Sequence, residues 1–219
     1  GPNGTGKTTI LRDIYKNNNP AIKLDPDLKA AYLSQMHGEV FDERETVLKN
    51  FADAGFETDA EIVRYLETYG FEEELVYNKV ENLSGGEKNL LQLAKISRMN
   101  ADLLLLDEPT GALDLYHQIK LMKLVNWITA KRNCVTIMTL HHLDMAMKYA
   151  DNVVAVHGGT VYSSGPPDQG FTEKMLREVY HVDCEILMDS HGERYMHVLD
   201  FDDSGIPASN DFYKSNKGY

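Results

Sequence analysis

Two cysteines, one tryptophan and seven prolines are all that 219 residues contain of those types. Cys134 and Cys184 stand far apart and outside any CxxC spacing. That argues against a disulfide framework or a cysteine zinc site and points to a reducing, cytoplasmic setting. No stretch approaches the roughly 18 uninterrupted apolar residues that a membrane-spanning helix needs. Nor does the sequence open with the basic-then-apolar pattern of a signal peptide. Positive charge is scarce as well: 22 Lys and Arg face 34 Asp and Glu, a formal net charge of −12. This balance argues against a broad basic face for nucleic acid or anionic membrane. Internal repeats and low-complexity tracts are missing too. Hydrophobic residues, by contrast, reach 42% and charged residues 26%, the balance of a globular chain and not of a mainly disordered one.

What is present begins at the first residue. Gly1-Pro2-Asn3-Gly4-Thr5-Gly6-Lys7-Thr8-Thr9 contains a complete G-x-x-x-x-G-K-[ST] phosphate loop. Such a loop follows a buried strand and none precedes it, so the sequence is expected to be truncated at its N-terminus. The backbone N–H groups of Gly4, Thr5, Gly6 and Lys7 are expected to face a triphosphate at a helix N-terminus, which favours anions. Lys7 supplies charge to the β and γ phosphates, and the Thr8 hydroxyl suits Mg²⁺. Downstream, the apolar run Leu103–Leu106 ends in Asp107 and Glu108, two carboxylates at the carboxyl edge of a sheet, where α/β ligands bind. Asp107 suits Mg²⁺, and Glu108 suits taking a proton from an attacking water. A third segment, Ser84-Gly85-Gly86-Glu87, reads as a capping box. Capping explains Ser84 and Glu87 but not the two glycines, which cost a helix about 1 kcal/mol each. An exposed, glycine-lined helix N-terminus is a second anion site.

Helices alternate with buried strands. Strand candidates lie at Ala30–Leu33, Leu103–Leu106 and Val135–Leu140, the last rich in β-branched residues. Thr58-Asp59-Ala60-Glu61 is a second capping box, opening a helix that ends before Gly70. Further helices are expected after Ser84, across about 115–131 and at Glu173–Tyr180. Val153–Val156 and Thr160–Ser163 flank Gly158-Gly159 as a hairpin, and a second hairpin is expected around Ser190-His191-Gly192. The alternation predicts a doubly wound α/β sheet.

Together the three motifs resemble the nucleotide-binding domain of ATP-binding-cassette (ABC) proteins, over nearly the whole chain. Gly1–Thr8 is similar to the family's Walker A, Leu103–Glu108 to its Walker B and Leu83–Glu87 to its signature. Gly111-Ala112-Leu113-Asp114 resembles the D-loop, with Gly where Ser is more usual. Gln35 resembles the Q-loop glutamine, and His141 the switch histidine that contacts the γ-phosphate. His142 stands where relatives carry Asp and is given no catalytic role. The doublet is not a metal site, because adjacent side chains on an extended segment point opposite ways. His37, His181, His191 and His197 form no ligand-like grouping.

The resemblance implies an α/β fold, a P-loop NTPase (RecA-like) core with a helical subdomain inserted between the Q-loop and the signature motif. It implies an ABC ATPase domain over 1–203, with the helical subdomain at about 36–98, a C-terminal helix and hairpin at about 172–203, and a disordered tail over 204–219. ATP and Mg²⁺ are the implied cofactors. Catalysis then falls to Glu108, His141 and Gln35, and metal ligation to Thr8, Gln35 and Asp107. Nucleotide contacts fall to Asn3, Gly4, Thr5, Gly6, Lys7, Thr8, Thr9, Ser84, Gly85, Gly86 and Asp114. Two departures stand out: the segment from Lys7 to Gln35 is shorter than in most relatives and lacks their Gly-containing hairpin, and the adenine-stacking aromatic of the family lies upstream of Walker A, ahead of Gly1.

Two branches of the family compete. Ala31–Gln35, Glu45–Asn50 and Lys88–Ala94 resemble the soluble ABC-F type that acts on ribosomes. Leu140–Ala146, Tyr149–Asn152, Gly165–Pro167 and Thr172–Leu187 resemble importer ATPases, most of all those for iron-siderophore, haem and cobalamin. The importer reading is favoured. It implies a second ATPase subunit in a homodimer, a transmembrane permease as partner, no direct nucleic-acid contact, and a cytoplasmic place on the inner face of the cell membrane. A cassette-like ATPase of DNA repair or cluster assembly is the third reading; the coiled-coil insertion that would mark the repair type has no counterpart, since residues 36–83 carry no sustained heptads.

Overall fold

Four consecutive leucines make the centre of one sheet. The computed structural model describes residues 6–33, 40–111 and 113–201. Strands β1 (Ala30–Leu33), β2 (Leu103–Leu106) and β3 (Val135–Met138) are parallel and ordered β1-β2-β3. All four leucines of β2 are buried, as expected of a strand with neighbours on both sides. The register pairs Leu33 with Leu106 and Leu106 with Met138, so the carboxyl ends of the strands share one edge. Beyond the strands the ladder continues for one residue: Asp107 N–H donates to Leu33 O (3.2 Å) and Thr139 N–H to Leu106 O (3.0 Å). Asp107 and Thr139 are thereby set side by side. The third strand was expected to reach Leu140 and ends at Met138 instead, because β2 stops at Leu106 and the chain turns away at Glu108, whose φ is 48°.

Helix α1 (Lys7–Lys16) starts from Gly6, whose φ of 90° is a conformation that only glycine adopts cheaply. Its Leu11 is buried against Leu103 and Leu105, with Ile14, Leu28, Ala30 and Tyr32 packed around them. This packing pins the start of α1 to the sheet. Between β1 and β2 the described elements are helical: α2 (Val47–Asn50), α3 (Asp59–Glu67), α4 (Glu73–Val76), a 3₁₀ turn at Val80–Asn82 and α5 (Gly85–Arg98). Ser84 and Glu87 make the full reciprocal capping box at α5. At α3 only half of the expected box forms: Thr58 accepts from Glu61 N–H, while the Glu61 carboxylate takes the Glu57 N–H, one residue before the cap. Helix α6 (Leu115–Arg132) then joins β2 to β3.

Residues 6–143 form one compact unit, and Asp144–Phe201 belong to another. After α7 (Leu143–Tyr149), the second unit holds the antiparallel pair β4 (Val153–His157) and β5 (Thr160–Gly165), turning through Gly158 and Gly159 at φ 55° and 75°. Two positive φ values in a two-residue loop are the signature of a type I′ turn. A short α8 (Pro167–Gly170) and α9 (Glu173–Tyr180) follow. Met175, Leu176 and Val179 recur at helical spacing and are buried, on the helix that packs against β6 (Val182–Met188). β6 pairs with β7 (Arg194–Phe201), and the Ser190–Gly192 turn joins them as expected. No helix of the described residues is long and apolar enough to cross a membrane.

Candidate active site

The carboxyl edge of the sheet gathers Lys7, Thr8, Asp107, Glu108, Thr139 and His141. Asp107 is only 3% exposed, so its carboxylate has to be satisfied from within the protein. Its Oδ1 accepts from Thr8 Oγ1 (3.0 Å) and Thr139 Oγ1 (2.9 Å), and its Oδ2 from the Tyr32 hydroxyl (3.1 Å). Burial pushes the Tyr32 phenol up in pKa, reinforced by Asp107 and opposed by Arg12, which keeps the tyrosine a proton donor. The Tyr32 ring stacks on Tyr15 of α1, centroids 5.3 Å apart.

Glu108 has a different setting. Its φ of 48° is left-handed, which costs a residue with a Cβ about 1–2 kcal/mol. Its N–H donates to Thr139 Oγ1 (2.7 Å), and its Oε1 pairs with His141 Nε2. The Glu108 and His141 side chains stay 24% and 32% exposed, so a water or a ligand oxygen can reach them. Lys7 feels both acids: burial lowers its pKa, while Glu108 and Asp107 act to raise it. A lysine in that position is a charge made ready for an anion.

The Thr8 hydroxyl and the Asp107 carboxylate form an all-oxygen pair, the donor type that Mg²⁺ prefers. Among the described residues no group of three His, Cys, Asp or Glu could hold a metal ion. Mg²⁺ is commonly held by one or two protein ligands and completes its shell with phosphate oxygens and water. The residues present fit Mg²⁺.

Ser84, Gly85 and Gly86 open α5 and group with the start of α6. A Cβ on Gly86 would come within 3.2 Å of His117 Cγ and 3.3 Å of Leu113 Cδ2, whereas one on Gly85 would meet nothing within 4 Å. Asp114 caps α6, accepting from His117 N–H (2.8 Å) and pairing with the His117 ring (2.9 Å). Those bonds, the backbone one foremost, hold its carboxyl below the usual range. Asn89 Nδ2 ties α5 to the acid loop, donating to Pro109 O (3.0 Å). Of the histidine doublet, His141 pairs with Glu108 and His142 with Gln118. Asn3, Gly4, Thr5 and Gln35 lie outside the described residues, as do His37 and the tail from Ser204. Thr9 lies in the first turn of α1, immediately after Thr8.

Sequence reasoning missed Tyr32, Thr139 and His117. Thr139 carried no local signal, since it comes beside the first acid only through the register of β2 with β3.

The sequence profile of the ABC transporter family matches residues 1–111. A petrobactin import ATP-binding protein of Bacillus anthracis is 30% identical over 211 residues, covering 86% of this chain and 77% of the relative. A hemin import ATP-binding protein of Hahella chejuensis is 31% identical over 229 residues, covering 91% of this chain and 87% of the relative. Among solved structures, a metal-chelate type ABC transporter in an inward-facing conformation matches with a TM-score of 0.73 at 20% identity, covering 94% of this chain and 86% of that one. On the fold, the phosphate-site geometry and these similarities, the chain belongs to the ABC transporter family and is one of its ATPases.

Proposed function

We propose that this chain is the ATP-binding and ATP-hydrolysing subunit of an importer for iron complexes (siderophore or haem) or a related metal chelate. The observation that carries the ATPase half is the placement of Glu108, held between Thr139 and His141 at the sheet edge, beside the buried Asp107 and the desolvated Lys7. The importer half rests on relatives named for petrobactin and hemin import that align along most of the chain.

Lys7 offers its charge to the β and γ phosphates from a site where water competes poorly. Thr8 and Asp107 would hold Mg²⁺, which neutralises phosphate charge when bound. Glu108 accepts a proton from the attacking water as its oxygen bonds to the γ-phosphorus. The bond from that phosphorus to the bridging oxygen breaks, leaving ADP and phosphate. His141 keeps the Glu108 carboxylate turned toward the open side and offers its ring to the γ-phosphate. Gln35 would report the state of the site to a permease, and the chain would sit on the cytoplasmic face of the membrane through that permease. Ser84, Gly85 and Gly86 would meet the nucleotide of a second subunit.

The test is Glu108→Gln in the intact protein. ATP binding should persist while phosphate release falls about 10²- to 10⁴-fold, the span of general-base contributions. An undiminished rate removes Glu108 from the mechanism. Cells lacking the protein should lose uptake of one iron chelate and regain it with wild type but not with Glu108→Gln. Copurification with ribosomes and with no permease would favour the ABC-F reading instead.

A further inference from the structure

The acid pair has a support that none of the sequence motifs contains. Thr139, one residue beyond β3, is 8% exposed, and its hydroxyl serves two partners. It accepts the Glu108 N–H at 2.7 Å and donates to Asp107 Oδ1 at 2.9 Å. A hydroxyl carries one proton, and the Glu108 N–H can only donate while a carboxylate can only accept, so Thr139 accepts from Glu108 and donates to Asp107. Two residues further on, His141 Nε2 pairs with Glu108 Oε1. Glu108 is thus gripped at both ends, backbone and carboxylate, from one stretch of three residues. The grip matters because the backbone there is left-handed, at a φ of 48° that a glutamate rarely adopts unaided. Tyr32 steadies the other oxygen of Asp107 from β1. Asp107 therefore keeps two donors, Thr8 and Tyr32, if Thr139 is lost, whereas Glu108 loses the hydrogen bond that its backbone N–H donates to Thr139.

We propose that Thr139 is a positioning residue for hydrolysis: it fixes the Glu108 backbone so that the carboxylate stands where the attacking water must be. The proposal rests on the reading of Glu108 as the general base. It separates Thr139 from a residue that only satisfies buried groups, and from one that acts through Asp107 on Mg²⁺.

Four variants of the intact protein decide it: Thr139→Val, which keeps the shape and loses both bonds; Thr139→Ser, which keeps the hydroxyl; Glu108→Gln; and the double variant Thr139→Val with Glu108→Gln. Thr139→Val should lower kcat about 10- to 100-fold, the cost of misplacing a reacting group by an ångström or less. The KM for ATP, the half-saturating Mg²⁺ concentration and Mg²⁺-free ATP binding by calorimetry should stay within about twofold, because the loss falls on a step after binding. Thr139→Ser should recover most of the rate. In the Glu108→Gln background, Thr139→Val should cost nothing further, since the carboxylate it places is gone. A loss that persists undiminished in that background, or one accompanied by a matching shift in Mg²⁺ half-saturation, overturns the proposal. So does a normal rate in Thr139→Val beside an inactive Glu108→Gln. Full turnover in Glu108→Gln instead overturns the base reading, and this proposal with it.

Discussion

The surroundings of Lys7 and Asp114 lower both pKa values, for opposite reasons: burial disfavours the charge of Lys7, whereas hydrogen bonds favour that of Asp114. Lys7 is a cation whose pKa burial lowers, so its charge is poorly solvated until an anion arrives. Lys7→Met should therefore weaken ATP binding more than it weakens the fold. One charge-assisted hydrogen bond is worth about 1.5–3 kcal/mol, which is roughly a 10- to 150-fold rise in Kd by calorimetry. Asp114 is an exposed carboxylate held below the usual range by the His117 N–H and ring. A depressed carboxyl adds stability above its unfolded pKa, near 3.8, and that contribution is lost as pH falls through the folded value. Asp114→Asn keeps a capping oxygen but cannot titrate. Its Tm should lie below that of wild type at pH 7, and the gap should close below about pH 4 and shrink with added salt, as suits an exposed group. A gap that is the same at pH 3 and pH 7 would show that the charge of Asp114 adds nothing to the cap.

At the scale of elements, the two glycines of α5 separate packing from function. Gly86 faces the first turn of α6, where a Cβ would lie 3.2 Å from His117 and 3.3 Å from Leu113. Gly86→Ala should lose its gain in helix propensity, at most about 1 kcal/mol, to the shift it forces on α6. Gly85 has open space around its missing Cβ, so Gly85→Ala should leave the urea midpoint unchanged or raise it. If α5 meets the phosphate of another subunit, Gly85→Ala should nevertheless lower ATP turnover. The pair of midpoints and rates tells a structural glycine from a functional one. In the core, Leu105→Ala should cost about 2–5 kcal/mol, seen as a lower urea midpoint, and it should loosen α1 as well because Leu11 packs on that leucine. Much of this was readable in advance. The leucine run and the Ser84 cap follow from hydrophobic patterning and from local capping chemistry. What was not readable depends on register between distant segments. Thr8 is 99 positions from Asp107, and Thr139 is 32. No local pattern says which hydroxyl comes to rest beside which acid. The half-formed cap at Thr58 is a smaller case: the spacing allowed Glu61 either of two neighbouring N–H groups, and it took the earlier one.

For the whole molecule, the arithmetic of sites is the argument. One chain supplies one Lys7 cluster and one glycine-lined start of α5, and the described contacts join α5 to the start of α6 at Gly86, leaving Gly85 open. A γ-phosphate half in water gains little from a helix dipole, whereas one enclosed between two helix N-termini is stabilised at lower dielectric. If the second N-terminus comes from another copy, ATP acts as the glue of a head-to-tail, two-fold dimer. Each chain carries a net charge of −12, which opposes association of two copies most strongly at low salt. Asp114 would then lie at the seam, its carboxylate already engaged by His117 and so unable to intrude on the phosphates. The expected outcome is sharp. Intact protein carrying Glu108→Gln should be monomeric by light scattering without nucleotide, double its mass with Mg-ATP, and return to monomer with Mg-ADP. Adding Gly85→Ala should weaken the ATP-dependent doubling while leaving Mg-ATP binding by the monomer in place, because the substituted face belongs to the partner's nucleotide. A protein that binds Mg-ATP and stays monomeric would rule the arrangement out.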